Sequence, residues 1–233
     1  MNIKIISLET VDSTNEYLKR GNRKPITVVT ANHQTGGKGR RGKKWISPPG
    51  KGLYVSFLFE KPKNFLNVQT VSLSTAVAVA KTLNTLKKGF EIKWPNDILF
   101  NGKKVCGILP ELSGNRIVVG IGVNLYHSRE ELKETDYPAT SLKIEKIHFD
   151  RETLTISLVK NVINYFDKTA KGTFEIKEFE SLSIIKPGNR ITVKKQNGIE
   201  KVTVLGIDRE GYLIVEKDGK VERLFSAEIS IRF

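Results

Sequence analysis

QTGGKGRRGKKW occupies residues 34–45, and its reading decides which nucleotide fold, if any, the chain adopts. Gly37, Gly39 and Gly42 have the G-x-G-x-x-G spacing of a dinucleotide-binding turn. Gly37 to Gly42 followed by Lys43 have the first seven positions of a Walker A loop, G-x-x-x-x-G-K. Both readings need a helix that opens at the loop, because the free N–H groups of its first turn receive the phosphates. Lys44 stands where a Walker A loop carries Ser or Thr. The chain then continues WISPPGKG, in which Pro48 and Pro49 forbid an ordinary helix. Both labels are dropped.

What survives is physical. Four glycines and five cations lie within Gly36 to Lys44, just after a strand. Ordering so many glycines is entropically costly, and the like charges repel one another. A polyanion relieves both penalties. The expectation is a loop that is mobile when empty and folds over an anionic ligand, excluding water as it closes. The plainer alternative is a basic surface loop.

Working outward, residues 3–8 (IKIISL) and 25–31 (PITVVTA) read as short strands. DSTNEYLKRG between them reads as a helix start, with Asp12 or Ser13 able to cap it and Gly21 to end it. LYVSFLFE (53–60) is strand-like, and a long helix is predicted over 67–88, ending at Gly89. Strands follow at 90–93, 98–100, 104–112 and 116–124 with NGK and SGN as turns, then helices over 150–170 and about 173–182. After KPGN the texture changes. ITVKK, EKVTVLGI, YLIVEK, KVERLF and EISIRF are separated by NG, DREG and DG, which are strong hairpin signals. The expected division is residues 1–185, then an all-β unit over 186–233 resembling an SH3-like partial barrel. That unit reads equally as a stabilising appendage or as a docking surface or lid.

Composition narrows the classes. The 233 residues contain one cysteine, Cys106, and three histidines without close pairing, so neither a disulfide framework nor a zinc signature is present. A lone thiol fits a reducing cytosol. No apolar run reaches the 18 residues of a membrane span, and MNIKIISLETVDS lacks the pattern of a signal peptide. The net charge of +14 invites a nucleic-acid reading, yet many lysines are interleaved with glutamates, as on a solvated surface. The Lys- and Glu-rich balance is also the tilt of proteins from hot environments. The charge argues for an acidic partner more than for DNA.

The second chemical cluster is KWPNDILFNGKKVCGILPEL, residues 93–112. Asp97, at the start of a strand with cations nearby, suits a Mg²⁺ that bridges nucleotide phosphates, or is simply the turn residue of P-N-D. Lys104 opens an apolar strand, as a site cation or as a solvated edge charge.

Taken in order, DSTN (12–15), QTGGKGRRGKKW (34–45), KWPND (93–97) with KKVCGI (103–108), and GIGVN (120–124) resemble the biotin protein ligase family, the biotin–[acetyl-CoA-carboxylase] ligases. The likeness runs through the C-terminal β unit. It implies an α+β fold: a mixed sheet flanked by helices, akin to class II aminoacyl-tRNA synthetases and lipoate ligases, with a small C-terminal SH3-like β-barrel. The implied reaction uses MgATP to convert biotin to biotinyl-adenylate and pyrophosphate. Biotin then passes to one lysine of an acceptor such as the biotin carboxyl carrier protein of a biotin-dependent carboxylase. Mg²⁺ is implied, with no tightly bound organic cofactor, no membrane partner and no specific DNA binding; a homodimer is compatible. Many bacterial members begin with a winged helix-turn-helix and repress transcription. No such segment precedes this sheet, so a cytoplasmic ligase without a repressor role is expected.

The resemblance implies roles residue by residue. Lys104 and Arg40 would be the catalytic pair: Lys104 holding the biotin carboxylate, Arg40 reaching both carboxylate and phosphate. Ser13, Thr14, Asn15 and Gln34 would hydrogen-bond the polar ring of biotin. Gly37 and Gly39 would allow close backbone approach, with Lys38 beside them, and Gly107 would let a strand lie against biotin. Trp45 would face adenine or anchor the loop, Lys93 would touch a phosphate, Asp97 would hold Mg²⁺, and Asn124 would bind phosphate or metal. The family loop reads G-R-G-R-R-G, so Lys38 keeps the charge of its first arginine and loses the bidentate fork. K-V-C-G-I stands for K-L-A-G-I, and Pro110 precedes Glu111 in place of Val.

Two rivals follow. A lipoate or other acyl ligase on the same fold would carry a different arginine/glycine pattern and a histidine-aspartate pair. A nucleic-acid-binding module would use the net charge and the terminal β unit, but the basic loop lacks interleaved aromatics.

Overall fold

Strand β1 (Lys4–Val11) runs parallel to β2 (Thr27–Gln34), with the short helix α1 (Thr14–Lys19) crossing between them. The protein is described by a computed structural model covering residues 3–63, 65–133, 135, 137–195, 198–225 and 230–232. The strand predicted over 3–8 runs on to Val11 because its ladder with β2 continues to Val11↔Gln34. That extension sets Ser13–Asn15 beside Gln34.

β3 (Gly52–Glu60), β4 (Phe90–Lys93), β5 (Asp97–Phe100), β6 (Lys103–Ser113) and β7 (Arg116–Asn124) complete a seven-stranded mixed sheet in the order β1-β2-β3-β7-β6-β5-β4. β3 is buried along nearly its whole length because both faces are covered. Leu18 of α1 packs with Val29, Leu58 and Val118 on one face. On the other, Phe57 and Phe59 meet the main core beneath α2 (Val68–Asn84), α3 (Arg151–Ala170) and α4 (Ile176–Leu182). α2 is buried almost all round, and hydroxyls on it such as Ser74 and Thr82 are satisfied by helix carbonyls of Val71 and Ala78.

The helix predicted over 67–88 stops four residues early. Asn67 caps its start by accepting from Thr70 N–H, and Asn84 Oδ1 captures the N–H groups of Gly89 (3.0 Å) and Phe90 (3.2 Å). Those amides belong to the turn into β4, so residues 85–89 cannot continue the helix. Likewise Lys171–Thr173 close the end of α3 rather than open α4, with Gly172 at φ +71.

The C-terminal strands β8 (Arg190–Lys195), β9 (Gly198–Ile207), β10 (Leu213–Lys217), β11 (Lys220–Leu224) and β12 (Ser230–Arg232) form an antiparallel sheet ordered β11-β10-β9-β8-β12. The DG hairpin forms as predicted, with Asp218 and Gly219 both at positive φ. Asn197 of the predicted NG turn, and Glu228, Ile229 and Phe233 of the predicted last strand, lie outside the described residues. β11 and β12 do not pair with each other among the described residues, and the five-stranded sheet is consistent with the expected SH3-like partial barrel. Its inward residues, including Val193, Val204 and Leu213, join the main core. Trp94 Nε1 donates to Gly211 O (3.1 Å) and Asn67 Nδ2 to Glu210 O (3.0 Å), fastening this sheet to α2 and to the β4–β5 turn. No helix among the described residues is long and apolar enough to cross a membrane.

One ion cluster ties the helices together. Burial works against the charge of Glu178 on α4, but hydrogen bonds from Lys81, Tyr165 and Lys168 overcome it and hold its carboxyl at about 2, below the ordinary 4.5. A depressed carboxylate contributes its full stability above 4.5 and loses it as pH falls toward 2. The midpoint of thermal unfolding is therefore expected to fall across that window. Glu178→Gln should lower it at pH 7 and flatten its pH dependence there; a variant profile parallel to the parent's excludes this role.

Candidate active site

The floor of the main cleft is bare backbone. β6 and β7 pair Gly107 with Gly122, and the alternation of β7 puts Gly120 on the same face. A Cβ at Gly120 would stand 2.3 Å from Asn15 Oδ1, and one at Gly122 2.3 Å from Trp45 Nε1. At Gly107 it would lie 2.9 Å from Trp45 Cζ3. Only glycines let these side chains rest on the sheet. The cleft above them encloses about 730 Å³.

The glycine-rich segment returns on itself as a narrow ribbon. Lys38 and Lys44 form a β-bridge, Gly39 N–H donates to Lys43 O (2.7 Å), Trp45 N–H donates to Gly37 O (2.9 Å), and Arg40–Gly42 make a single 3₁₀ turn at the tip. No α-helix opens here, as the rejection of both phosphate labels requires.

One end of the cleft is uncharged and polar. Ser13 occupies the N-cap of α1, but its side chain makes no capping bond. Thr14 donates to Gln34 Oε1 from its backbone N–H (2.9 Å) and its hydroxyl (3.0 Å), and Gln34 Nε2 donates to Ser47 Oγ (3.0 Å). Ser56, fully buried on β3, reaches Thr14 Oγ1 at 2.7 Å and Asn15 Oδ1 at 2.6 Å. Asn15 Nδ2 is held by Leu109 O (3.2 Å) and Glu111 Oε2 (2.7 Å). Its amide orientation is thus set: both N–H groups are taken, and the carbonyl oxygen faces the glycine floor.

The other end is cationic. Arg40 Nη1 donates to Asn96 Oδ1 at 2.9 Å, and Asn96 is oriented by its own bond to Ile108 O (2.8 Å). Burial lowers the Arg40 pKa from its ordinary value while Asp97 opposes the change. Lys104 Nζ lies 2.7 Å from Asp97 Oδ1, an ion pair. Lys104 Nζ also stands 5.4 Å over the Trp45 ring. The Lys104 backbone is clamped by Pro138 O (2.7 Å) and Thr140 N–H (2.8 Å). Lys93 Nζ sits 3.7 Å over the Tyr137 ring, and Asn124 Nδ2 donates to Thr140 O (3.0 Å).

The cleft therefore gathers Ser13, Thr14, Asn15, Gln34, Gly39, Arg40, Trp45, Lys93, Asp97, Lys104, Gly107 and Asn124 from segments far apart in the chain. Two expected residues stand differently. Gly37 lines the recess behind the ribbon, where a Cβ would meet Trp45 O at 2.5 Å, so its bareness serves the ribbon's own closure. Lys38 borders the cleft, but its ammonium pairs with Glu16 at 2.9 Å. Cys106 is buried, and burial pushes its thiol pKa up.

Sequence reasoning missed Ser56, Asn96, Gly120, Gly122, Tyr137 and Lys194, all at the cleft or bonded to its lining. A lone serine in the apolar run LYVSFLFE was a usable signal for Ser56. Asn96 was visible in WPND but was given no role of its own. Nothing local marks Lys194, which arrives from the second sheet. Among the described residues no three His, Cys, Asp or Glu side chains gather as a metal cage. A single buried-edge carboxylate, Asp97, fits Mg²⁺ carried mainly by substrate phosphates.

Comparison with known proteins supplies the family. The family model described as "Biotin/lipoate A/B protein ligase family" matches residues 7–126, and that described as "Biotin protein ligase C terminal domain" matches residues 188–232. The bifunctional ligase/repressor BirA of Escherichia coli is 32% identical over 239 residues, covering 97% of this chain and 73% of that protein. The biotin–[acetyl-CoA-carboxylase] ligase of Mycobacterium tuberculosis is 28% identical, covering 83% of this chain and 74% of its own. The structure of the Aquifex aeolicus biotin protein ligase in complex with biotin and ATP superposes with a TM-score of 0.85 at 32% identity, over 98% of each chain. On the family match and on identity sustained along nearly its whole length, the chain belongs to the biotin protein ligase family.

Proposed function

We infer that this chain is an ATP-dependent biotin–protein ligase. It joins biotin to AMP with release of pyrophosphate, then passes biotin to a lysine of an acceptor domain of a biotin-dependent carboxylase. The carrying observation is that Arg40, Lys104 and Asp97 meet at one end of a cleft whose other end is an uncharged hydrogen-bonding pocket. A urea ring with an acidic tail is long enough, and polar at the right ends, to span the two.

In the first step a carboxylate oxygen of biotin attacks the α-phosphorus of ATP, and the bond from that phosphorus to pyrophosphate breaks. Two anions must meet, so the protein's contribution is electrostatic and positional. Lys104 leaves Asp97 to hold the biotin carboxylate, and Arg40, braced by Asn96, spans carboxylate and phosphate with its fork of donors. Lys93 and Asn124 face the phosphates. Asp97, together with the phosphates, would hold Mg²⁺, which would supply further charge neutralisation. Thr14, Asn15, Gln34 and Ser56 orient the ring of biotin. Trp45, seated on Gly107 and Gly122, walls the cleft beside Lys104. In the second step the acceptor amine attacks the carbonyl carbon, the bond to AMP breaks, and the nitrogen sheds a proton. The closed ribbon keeps water from the anhydride meanwhile. Residues 1–185 carry the chemistry, with residues 186–233 as the second unit. A cytoplasmic setting suits the ATP requirement and the lone thiol.

ATP–pyrophosphate exchange, run with biotin and with lipoate separately, tests this. Exchange driven by biotin alone is expected; exchange driven by lipoate, or by neither, overturns the assignment.

A further inference from the structure

Behind the cleft, four charged side chains of alternating sign form an unbroken line. Lys38 Nζ lies 2.9 Å from Glu16 Oε1, and Lys19 Nζ lies 2.9 Å from the same oxygen. Lys19 Nζ also lies 2.6 Å from Glu111 Oε1, and the other oxygen of Glu111 accepts from Asn15 Nδ2 at 2.7 Å. The Glu16–Lys19 pair alone would be an ordinary contact within α1, worth little. Lys38, however, belongs to the glycine-rich ribbon and Glu111 to β6. The line therefore joins three elements and ends on an amide of the polar pocket.

The ribbon needs such fastening. Its base is bonded by Thr35 N–H to Val11 O (2.9 Å) and Gly36 N–H to Asp12 O (2.7 Å), and its tip by Arg40 to Asn96. Between them, Lys38 ties the outer leg to α1. Hydrogen bonds from Lys38 and then Lys19 hold the Glu16 carboxyl below its usual range. Burial disfavours the charge of Lys19, but Glu111 and Glu16 more than compensate.

We propose that Lys38 is a positioning residue, latching the ribbon to Glu16 and, through Lys19 and Glu111, coupling ribbon closure to the orientation of the Asn15 amide. This accounts for the departure from the family loop. Here the cation meets a single carboxylate oxygen, for which a lysine's point charge serves as well as an arginine's fork. The Lys38 side chain is 51% exposed, so the latch is screened by salt.

The test reads amide hydrogen exchange of residues 36–44 without ligand, in Lys38→Met, Lys38→Arg, Glu16→Gln and parent proteins. At low salt, Lys38→Met and Glu16→Gln are expected to lose roughly two- to fivefold protection while Lys38→Arg keeps it; near 1 M NaCl the four should converge. A structural defect would not be rescued by arginine or erased by salt. The proposal is overturned if Lys38→Met and Lys38→Arg exchange alike, or if the parent's protection is independent of salt. Lys38→Met lies at an exposed position, so it answers even if Glu16→Gln fails to fold. A second arm rests on the biotin reading above. Lys38→Met should raise the KM for biotin severalfold with kcat nearly unchanged, whereas weakened biotin with unaltered ribbon exchange would make Lys38 a direct contact. Failure of the parent to use biotin would sink that reading and leave the exchange arm standing.

Discussion

Lys104→Met is expected to lower the rate of biotinyl-adenylate formation by roughly 10²–10³-fold, the loss typical of removing one preorganised donor from a site of developing charge. Its ammonium stands 2.7 Å from Asp97, and in the proposed reaction the biotin carboxylate and the α-phosphate would meet at the same place. Without the ammonium their repulsion is unscreened in a cleft half closed to water. The clamp of Pro138 and Thr140 on the Lys104 backbone is independent of the side chain, so strand pairing should survive. Single-turnover adenylate formation, with near-ultraviolet circular dichroism as the folding control, measures the effect. A loss under tenfold would mean that Arg40 alone carries the charge.

Gly122→Ala is expected to reduce kcat/KM for biotin by about 10²-fold, the scale of an ångström misplacement at a reacting centre. The added methyl would stand 2.3 Å from Trp45 Nε1 and 2.4 Å from Cε2, so the indole must lift off the sheet. The backbone N–H of Trp45 donates to Gly37 O, so the displacement passes into the ribbon that carries Arg40. Gly122 has no positive φ, and alanine is acceptable to the strand itself; the thermal midpoint should move by only a few degrees. Steady-state kinetics with a thermal melt separate the two readouts. An unfolded variant, or one with parental kinetics, would show that the indole is not seated where its contacts indicate.

Most of the secondary structure was legible because strands here are β-branched runs cut by NGK, SGN and DG, and those turns depend on local chemistry. The family was legible because DSTN, the glycine-rich stretch, KWPND and GIGVN occur in order, although each is ambiguous alone. Helix ends were less legible. Asn84 stops α2 by bonding Gly89 and Phe90, a choice that depends on where β4 lies.

Pairings across the fold could not be read from the chain at all. That Ser56 braces Thr14 and Asn15, that Asn96 braces Arg40, and that Trp45 lies on Gly107 and Gly122 follow from strand register. The same holds for Lys38, whose charge the sequence assigned to a ligand and the fold turns toward Glu16. Residue order determined which chemical groups were available; only the stacking of β3, β7 and β6 beneath α1 decided which of them touch, because partners separated by tens of residues are chosen by burial and register, not by local propensity.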